Sequence, residues 1–262
     1  MDNGKVMEFT AAGRFLQERR VPFRFSFIQY ALLPLGDGFV GFNLEEAPGQ
    51  RRLRFNAHRY AADWTDRGVL YAGPSPPIPP PPPGSGPRRT PWPVAPHYLD
   101  LDVWKGLVYV ADTRRGFFIA VFDREGRPVR EIRLQRTASP VSPDFRRRYM
   151  EYRRSSPRWE QEKKWLDFRF PQVFPAFFAF RVRDDRIYAV TYARENQRQE
   201  VVVLDLAGRM LRRSFAYPRE PFERLSDTGT VAREFDIRDH ALFALTENAD
   251  SEDWELRIVP LN

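Results

Sequence analysis

The sequence lacks cysteine altogether and has only three histidines among its 262 residues. The absence of cysteine excludes disulfide bonds, thiolate zinc sites, iron–sulfur clusters and cysteine nucleophiles. The histidines, His58, His97 and His240, have no second histidine or carboxylate at a metal-ligand spacing. Neither a glycine-rich phosphate loop nor a G-x-S-x-G motif occurs. The sequence therefore predicts no catalytic residue, no metal ligand and no cofactor.

Long apolar runs are missing too, since no stretch approaches the roughly 18 apolar residues that cross a bilayer. We therefore expect no membrane-spanning helix. Residues 1–8 lack the succession of basic, apolar and small residues that marks a signal peptide. This leaves two alternatives for localisation, a cytoplasmic protein or a chain whose natural start lies before Met1.

Lysine is scarce, so nearly all of the positive charge comes from arginine, and the formal net charge is +7. A basic excess is typical of proteins that bind nucleic acids when it is gathered on one element. Here the arginines are spread along a chain that also contains 24 prolines. This distribution favours a compositional bias over a nucleic-acid footprint.

What the sequence does contain is an internal repeat. A β-branched residue, a three-residue turn and a short apolar run recur within ten residues at Val103–Asp112, Val182–Thr191 and Ile237–Thr246. The centre of each apolar run is aromatic, namely Tyr109, Tyr188 or Phe243. Each copy predicts a strand, a tight turn and a second strand.

A second pattern also occurs three times, at Phe9–Arg14, Phe122–Arg127 and Leu204–Arg209. In each copy an apolar residue is followed by Thr or Asp, two further residues and Gly-Arg. The Thr or Asp side chain hydrogen-bonds to the turn backbone, and glycine accepts the positive φ that such a turn requires. The pattern predicts a tight hairpin between two further strands.

Joined together, the two patterns form a four-stranded meander of about 35–45 residues, the blade of a β-propeller. Complete copies cover Tyr98–Gln135 and Phe177–Tyr217, and a weaker copy covers Phe25–Ala72. The copy at Val231–Asn262 ends after its third strand, and Gly4–Arg20 supplies only two strands. We therefore predict an all-β fold for residues 1–262, a single β-propeller domain of four-stranded antiparallel blades, about four and a half of them, with a small helical insertion. Because this number of strands does not close a ring, we also expect further sequence before Met1.

Two segments interrupt the repeat, and the first is proline-rich. Residues 73–97 contain the run PPIPPPPPGSGP between Pro76 and Pro87. Such runs adopt an extended polyproline conformation, and they are compositionally common in linkers. We predict a solvated extended loop, with a ligand for a proline-binding domain as the alternative.

The second interruption, residues 136–176, is helical. Ser142 or Asp144 is placed to cap a helix that begins at Pro143, and a second helix is expected after Ser156, with Trp159, Glu162 and Leu166 on one side. The aromatic stretch at Phe168–Phe180 follows. We predict that these aromatic residues dock the two helices onto the propeller, and a hydrophobic binding surface is the alternative.

Strand connectivity places both interruptions on one face of the propeller. If the strands of a blade are named a to d from the axis outward, the b–c and d–a connections lie at one end of the strands. Both interruptions are d–a connections, so they share this end with the b–c loops. We call this end the elaborated face, and the tight Gly-Arg turns lie on the opposite face.

Loops that a rigid scaffold positions are where binding residues concentrate. The elaborated face therefore supplies the candidate binding residues, and two helical aromatics of the insertion are added to them. The full set is Asp112, Arg114, Arg115, Thr191, Tyr192, Arg194, Thr246, Asn248, Tyr149 and Trp159. Capping of strand ends is the alternative role for any one of the loop residues.

Three stretches resemble the bacterial six-bladed propellers of the NHL/TolB-like group, of which the most similar set is secreted and largely uncharacterised. They are YVADTRRGFFIAVFDREGRPVREI, the helical insertion ending in FPQVFPAFFAF, and RIYAVTYARENQRQEVVVLDLAGRMLRRSF. The resemblance implies six blades, a signal peptide and a periplasmic or secreted location. It implies no activity, so no catalytic residues are transferred.

The function that these observations favour is a non-enzymatic binding scaffold for a protein, peptide or glycan, because both interruptions elaborate one face and no catalytic set is present. The first alternative is a metal-dependent, lactonase-like hydrolase with carboxylates gathered around the axis, which rests on the fold class alone. The second is an RNA-binding NHL-type propeller, which rests on the arginine content and the aromatic insertion.

Overall fold

The structure is a computed structural model, and it describes residues 5–10, 12–20, 32–46, 53–73, 89–95, 97, 99–218, 235–247 and 254–261. Nineteen β-strands and two α-helices occur in these residues. The strands form antiparallel blades arranged as a propeller, which confirms the predicted all-β fold and its helical insertion.

Blade 1 corresponds to the weaker copy of the repeat. Its strands are β3 (Leu32–Leu35), β4 (Gly38–Glu46), β5 (Leu53–Tyr60) and β6 (Asp66–Ala72), paired in that order. Gly36 adopts a φ of 61° in the turn between β3 and β4. Glycine takes this left-handed conformation without steric cost, which explains why the turn is tight.

Blades 2 and 3 are the two complete copies. Blade 2 consists of β8 (Leu99–Trp104), β9 (Leu107–Asp112), β10 (Phe117–Phe122) and β11 (Pro128–Leu134). Blade 3 consists of β13 (Ala179–Arg183), β14 (Arg186–Glu195), β15 (Arg198–Asp205) and β16 (Met210–Tyr217). Each is a four-stranded antiparallel meander, as the repeat predicts.

The two remaining copies supply three strands and two strands in the part of the chain that the structure describes. Blade 4 has three strands in the described part of the chain, β17 (Phe235–Arg238), β18 (Ala241–Glu247) and β19 (Trp254–Pro260). The N-terminal half blade is an antiparallel hairpin of β1 (Lys5–Phe9) and β2 (Phe15–Arg20).

The Gly-Arg turns have the geometry that the second pattern predicts. The Asp123 carboxylate accepts a hydrogen bond of 2.8 Å from the backbone N–H of Arg127, and Asp205 accepts one of 2.9 Å from that of Arg209. The glycines in these turns, Gly126 and Gly208, have φ values of 85° and 90°. A short acceptor and a glycine at these two positions are therefore sufficient to specify the turn.

The blades stack through alternating side chains that are buried on both sides. On β9, Val108 and Val110 belong to the core shared with blade 1, whereas Tyr109 and Ala111 belong to the core shared with blade 3. The first strands of successive blades, β3, β8, β13 and β17, lie next to one another. Because strand side chains point alternately to opposite faces, a blade inside the ring is apolar on both faces.

The helical insertion contains α1 (Pro143–Ser155) and α2 (Trp159–Trp165). Ser142 is the N-cap of α1, and its hydroxyl accepts a hydrogen bond of 3.1 Å from the backbone N–H of Phe145. The second helix is shorter than predicted. It ends at Trp165, and Leu166 instead begins a strand and is buried.

That strand, β12 (Leu166–Arg169), joins the two interruptions. It pairs in parallel with β7 (Thr90–Pro93), which comes from the end of the proline-rich segment. Residues 90–93 therefore differ from the solvated loop predicted for 73–97, because their backbone pairs with the insertion. The proline run at 76–87 lies outside the described residues.

A separate aromatic core attaches the insertion to blade 3. Val94, Phe145, Tyr149 and Phe174 are buried in it, and Tyr192 of β14 packs against it. The Phe174 ring stacks on the Tyr192 ring, with centroids 4.4 Å apart and planes inclined by 7°. The prediction that the aromatic stretch docks the helices onto the propeller is confirmed.

Candidate functional site

A cavity of about 260 Å³ opens on the elaborated face, between blades 2 and 3 and beside the docked insertion. Arg114 and Phe117 line it from blade 2, and Thr191 and Tyr192 line it from blade 3. The interruptions contribute the rest of the wall, including His97, Arg136, Thr137, Ala138, Ser139, Phe174, Pro175 and Ala176. We refer to it as the interblade cavity.

The wall from blade 2 is organised by Asp112, the last residue of β9. Its carboxylate caps a short 3₁₀ turn at Thr113–Arg115 and accepts a hydrogen bond of 3.1 Å from the backbone N–H of Arg114. Arg114 also donates from Nε at 2.8 Å and from Nη2 to the same carboxylate. The hydroxyl of Tyr71, in the outer strand of blade 1, donates to it at 2.8 Å. The chain folds so that one buried carboxylate holds the Arg114 guanidinium at the cavity wall.

Asp112 is ionised in this arrangement. Its side chain is 1% exposed, and burial alone raises the pKa of a carboxyl group. The hydrogen bonds from Arg114 and Tyr71 outweigh burial, and the pKa of Asp112 lies below its ordinary value. Burial, followed by the hydrogen bond to Asp112, raises the pKa of Tyr71, so the phenol stays protonated and remains a donor.

The wall from blade 3 is organised in the same way by Glu200 of β15. This carboxylate is completely buried, and it accepts hydrogen bonds from Arg136 Nη2 at 2.7 Å and from Thr191 Oγ1 at 2.6 Å. Arg213 Nε is a third donor. Burial raises the pKa of Glu200, but the three donors outweigh burial and hold that pKa below its ordinary value. A second fixed carboxylate therefore holds a second guanidinium at the cavity.

A bulge in β14 brings Thr191 and Tyr192 to the cavity. The register of β14 against β15 shifts between the pairs Val190–Val201 and Arg194–Gln199. The Thr191 hydroxyl accepts a hydrogen bond of 3.2 Å from the backbone N–H of Ala193 within the bulge. Bulges re-aim side chains next to binding sites. The b–c loop predicted to begin at Thr191 is thus a bulged continuation of the strand.

The structure brings together some of the predicted binding residues and separates others. Arg114, Thr191 and Tyr192 line the interblade cavity, and Asp112 supports it. Arg115 instead lies over the Phe118 ring, 3.5 Å from its centroid, and donates to Glu131 at 3.2 Å. Arg194 lies beyond the bulge, opposite Gln199.

The other candidates lie elsewhere. Tyr149 is buried in the core of the insertion, and burial raises its pKa to about 12. Trp159 lines a separate groove on the insertion. Thr246 lies in strand β18, and Asn248 lies outside the described residues.

Arg136, Ser139 and Phe174 are cavity residues that were absent from the sequence-based set. A signal for Arg136 existed, because it comes two residues after the end of β11, the outer strand of blade 2. The d–a connections share the elaborated face with the b–c loops, so a charged residue at the start of such a connection belongs among the candidates.

Carboxylates near the propeller axis are engaged by arginines. Asp102 of β8 is 1% exposed and accepts hydrogen bonds from the backbone N–H of Val182 at 2.8 Å and from Arg183 Nη1 at 3.0 Å. Arg183 Nε also lies 3.1 Å from Asp236 of blade 4. These contacts connect the inner strands of three successive blades and favour a structural role for the axial carboxylates.

Among the residues that the structure describes, no group of three histidine, aspartate or glutamate side chains is placed to hold a metal ion. No helix in the same part of the chain is long and apolar enough to cross a membrane. Comparison of the sequence with models of protein families gave no match, and comparison with curated proteins gave none.

Proposed function

We propose that this protein is a non-enzymatic binding propeller that captures a peptide or glycan through a carboxylate group seated in the interblade cavity. The observation that carries the proposal is that two arginines, Arg114 and Arg136, line the same cavity. Each is held by a buried carboxylate rather than left to move in solvent. Guanidinium groups bind carboxylates through paired N–H donors, and prior fixing lowers the entropy that binding costs.

One of the two cavity arginines, Arg136, also has a nitrogen whose hydrogen-bonding capacity is unused. Arg136 Nη1 is shielded from solvent and has no hydrogen-bond partner in the described part of the chain. A buried donor without a partner costs about 1–3 kcal/mol. Arg136 itself lines the cavity, and Thr137 and Ser139 bring hydroxyl-bearing side chains to the same lining.

The charge balance favours a carboxylate over a phosphate. The two cavity arginines pair with two ionised side chains, those of Asp112 and Glu200, and Glu200 is shared with Arg213, which leaves a small positive excess. The site therefore contributes to binding through hydrogen-bond donors in fixed directions, and its net positive charge is small. A singly charged group suits such a site better than a phosphate, which carries up to two charges at neutral pH.

We further propose that the blades belong to a six-bladed propeller of the NHL/TolB-like type, in a periplasmic or secreted protein. The support is the repeat itself, together with the helical insertion that ends in FPAF at the start of blade 3. The four observed blades are compatible with a larger ring. Mass spectrometry of the native protein, after fractionation of its own cells, tests both statements.

The binding proposal is tested by calorimetric titration with two kinds of carboxylate probe. Oligogalacturonate represents acidic glycans, and a short peptide with a free C-terminus represents peptides. We expect one of them to bind and the other to bind weakly or not at all, which identifies the source of the carboxylate. Failure of both probes to bind overturns the proposal, as does tighter binding of a poly(U) oligonucleotide, which would favour the RNA alternative.

Two variants locate the binding. Ala138→Trp places a large ring at the cavity while leaving both carboxylate–arginine pairs intact, and Arg136→Gln removes the guanidinium that Glu200 holds there. We expect Arg136→Gln to weaken the binding of the active probe by about tenfold to a hundredfold, the range for hydrogen bonds to charged groups, and Ala138→Trp to weaken it by filling the cavity. Arg209→Gln, at an exposed arginine on the opposite face, is the matched control and should leave binding unchanged.

A further inference from the structure

A second concave surface lies on the helical insertion and is independent of the interblade cavity. This groove, of about 490 Å³, is formed by α1, α2, β12 and Arg89. Its floor is apolar and aromatic, with Met150, Trp159, Phe168 and Phe170. We call it the insertion groove.

The floor of the insertion groove is rigid. The rings of Trp159 and Phe168 lie nearly parallel, with centroids 6.0 Å apart. Tyr149, buried beneath them, meets Phe168 and Phe170 edge-on at 5.9 Å and 5.5 Å. Phe168 is also part of β12, whose pairing with β7 fixes its backbone. A surface held in this way requires little ordering when a partner binds.

The rim of the groove is basic. Arg89, Arg154 and Lys164 line it, are exposed, and form no ion pair within the described residues. The acidic groups near the groove are already engaged, because Asp167 pairs with Arg169 at 2.8 Å and Glu162 pairs with Arg153. Residues 136–176 contain ten arginines and lysines against five acidic residues. The rim therefore attracts negative charge.

Two of the aromatic rings of the floor, those of Phe168 and Phe170, each have a guanidinium group over one face. The Arg146 guanidinium lies over the Phe170 ring at 5.3 Å, and that of Arg153 lies over the Phe168 ring at 5.7 Å. The Trp159 ring is stacked against the Phe168 ring. With these ring faces occupied and the Met150 side chain beside them, the floor suits an apolar side chain better than a series of bases, which bind by stacking on ring faces.

We propose that the insertion groove docks an acidic segment of a protein partner, with an aliphatic or aromatic side chain on the floor and carboxylates at the rim. In protein interfaces most of the binding energy comes from a few buried anchor side chains, and a surrounding ring of contacts excludes water from them. Arg89, Arg154 and Lys164 complement the acidic side chains, and this complementarity sets orientation and the rate of association.

The test is fluorescence anisotropy with a labelled, C-terminally amidated peptide in which one leucine and one phenylalanine are flanked by glutamates. We expect binding that weakens as salt is added, because the rim charges are exposed and therefore screened. The double variant Arg154→Gln/Lys164→Gln should weaken binding about tenfold. Trp159→Ala should weaken it by about tenfold or more, through loss of the apolar contact.

Controls separate this proposal from the cavity and from altered folding. Arg147→Gln removes an exposed arginine of the same helix, one that pairs with Asp144 and Glu151 outside the groove, and should leave binding unchanged. Ala138→Trp should also leave it unchanged, whereas loss of binding in that variant would assign the peptide to the cavity and overturn the groove. The proposal is also overturned if Arg154→Gln/Lys164→Gln and Trp159→Ala both leave peptide binding unaltered, or if poly(U) RNA binds more tightly at the groove than the peptide does. Circular dichroism of each variant confirms that the blades are retained.

Discussion

Arg136 donates a hydrogen bond of 2.7 Å to Glu200, although the two residues are 64 positions apart in the chain. Arg136 begins the helical insertion, and Glu200 lies in the third strand of blade 3. The contact therefore attaches the insertion to the blade at the wall of the interblade cavity. Because Glu200 is completely buried while Arg136 is partly exposed, the carboxylate fixes the position of the guanidinium.

Replacing Glu200 with Gln should destabilise the protein, since the isosteric amide removes the charge that three donors share. We expect a loss of about 2 kcal/mol in the free energy of unfolding, which is typical of hydrogen bonds to a charged group. Urea denaturation followed by circular dichroism measures it. Arg209→Gln, which removes a surface ion pair, should change the same quantity by less than about 0.5 kcal/mol. Equal effects of the two changes would contradict the structural role of Glu200.

Stability should also depend on pH through the same carboxylates. The pKa values of Asp112 and Glu200 lie below their ordinary values of 3.8 and 4.5 in the folded protein. As pH falls, the unfolded chain therefore takes up protons first, and the stability that these groups contribute is lost. We expect the free energy of unfolding to hold steady above about pH 5.5 and to fall as pH drops through 4.5 and 3.8.

Denaturation curves recorded at a series of pH values check this expectation. Glu200→Gln should flatten the acidic limb, since the variant lacks one of the groups that titrate. A limb that is as steep in the variant as in the unaltered protein would show that other carboxylates dominate acid unfolding.

The contact between blades 2 and 3 provides a third prediction. Asp102→Ala leaves the buried backbone N–H of Val182 without its acceptor and removes a partner of Arg183. We expect a cost of about 3 kcal/mol, as for the loss of one member of a buried ion pair. Asp102→Asn retains an acceptor oxygen, so its free energy of unfolding should lie between those of the alanine variant and the unaltered protein. Thermal and urea unfolding measure both.

The matched control lies between the same two blades but at the surface. Asp185 accepts a hydrogen bond from Lys105 at 2.7 Å, and its side chain is 55% exposed. Asparagine tolerates the positive φ of 57° at this position. Asp185→Asn should therefore cost less than about 1 kcal/mol. If Asp185→Asn lowered the free energy of unfolding as much as Asp102→Ala, burial would not explain the contribution of Asp102 to stability.

Much of the fold could be read from local patterns. The Asp and Gly positions at Asp123–Gly126 and Asp205–Gly208 specify their turns without help from distant residues, because the side chain and the backbone that it binds are within four residues of each other. Ser142 likewise caps a helix by contacts within one turn.

The cavity was predicted only in part. Arg114 and Thr191 were expected from the placement of the b–c loops, but Arg136 and Phe174 were not. The reason is that these two residues acquire their positions from Glu200 and Tyr192, which lie in another part of the chain. The bulge at Thr191 likewise has no local signal in the sequence, because it is defined by how β14 pairs with β15.

By itself, the sequence determined the repeat, the blades and the tight turns, since each depends on residues that are neighbours in the chain. Only the tertiary structure decided that Thr90–Pro93 pairs with Leu166–Arg169, and that two buried carboxylates hold arginines at one cavity. Pairing of distant segments and the ionisation of buried groups depend on what surrounds them after folding, and no local pattern encodes those surroundings.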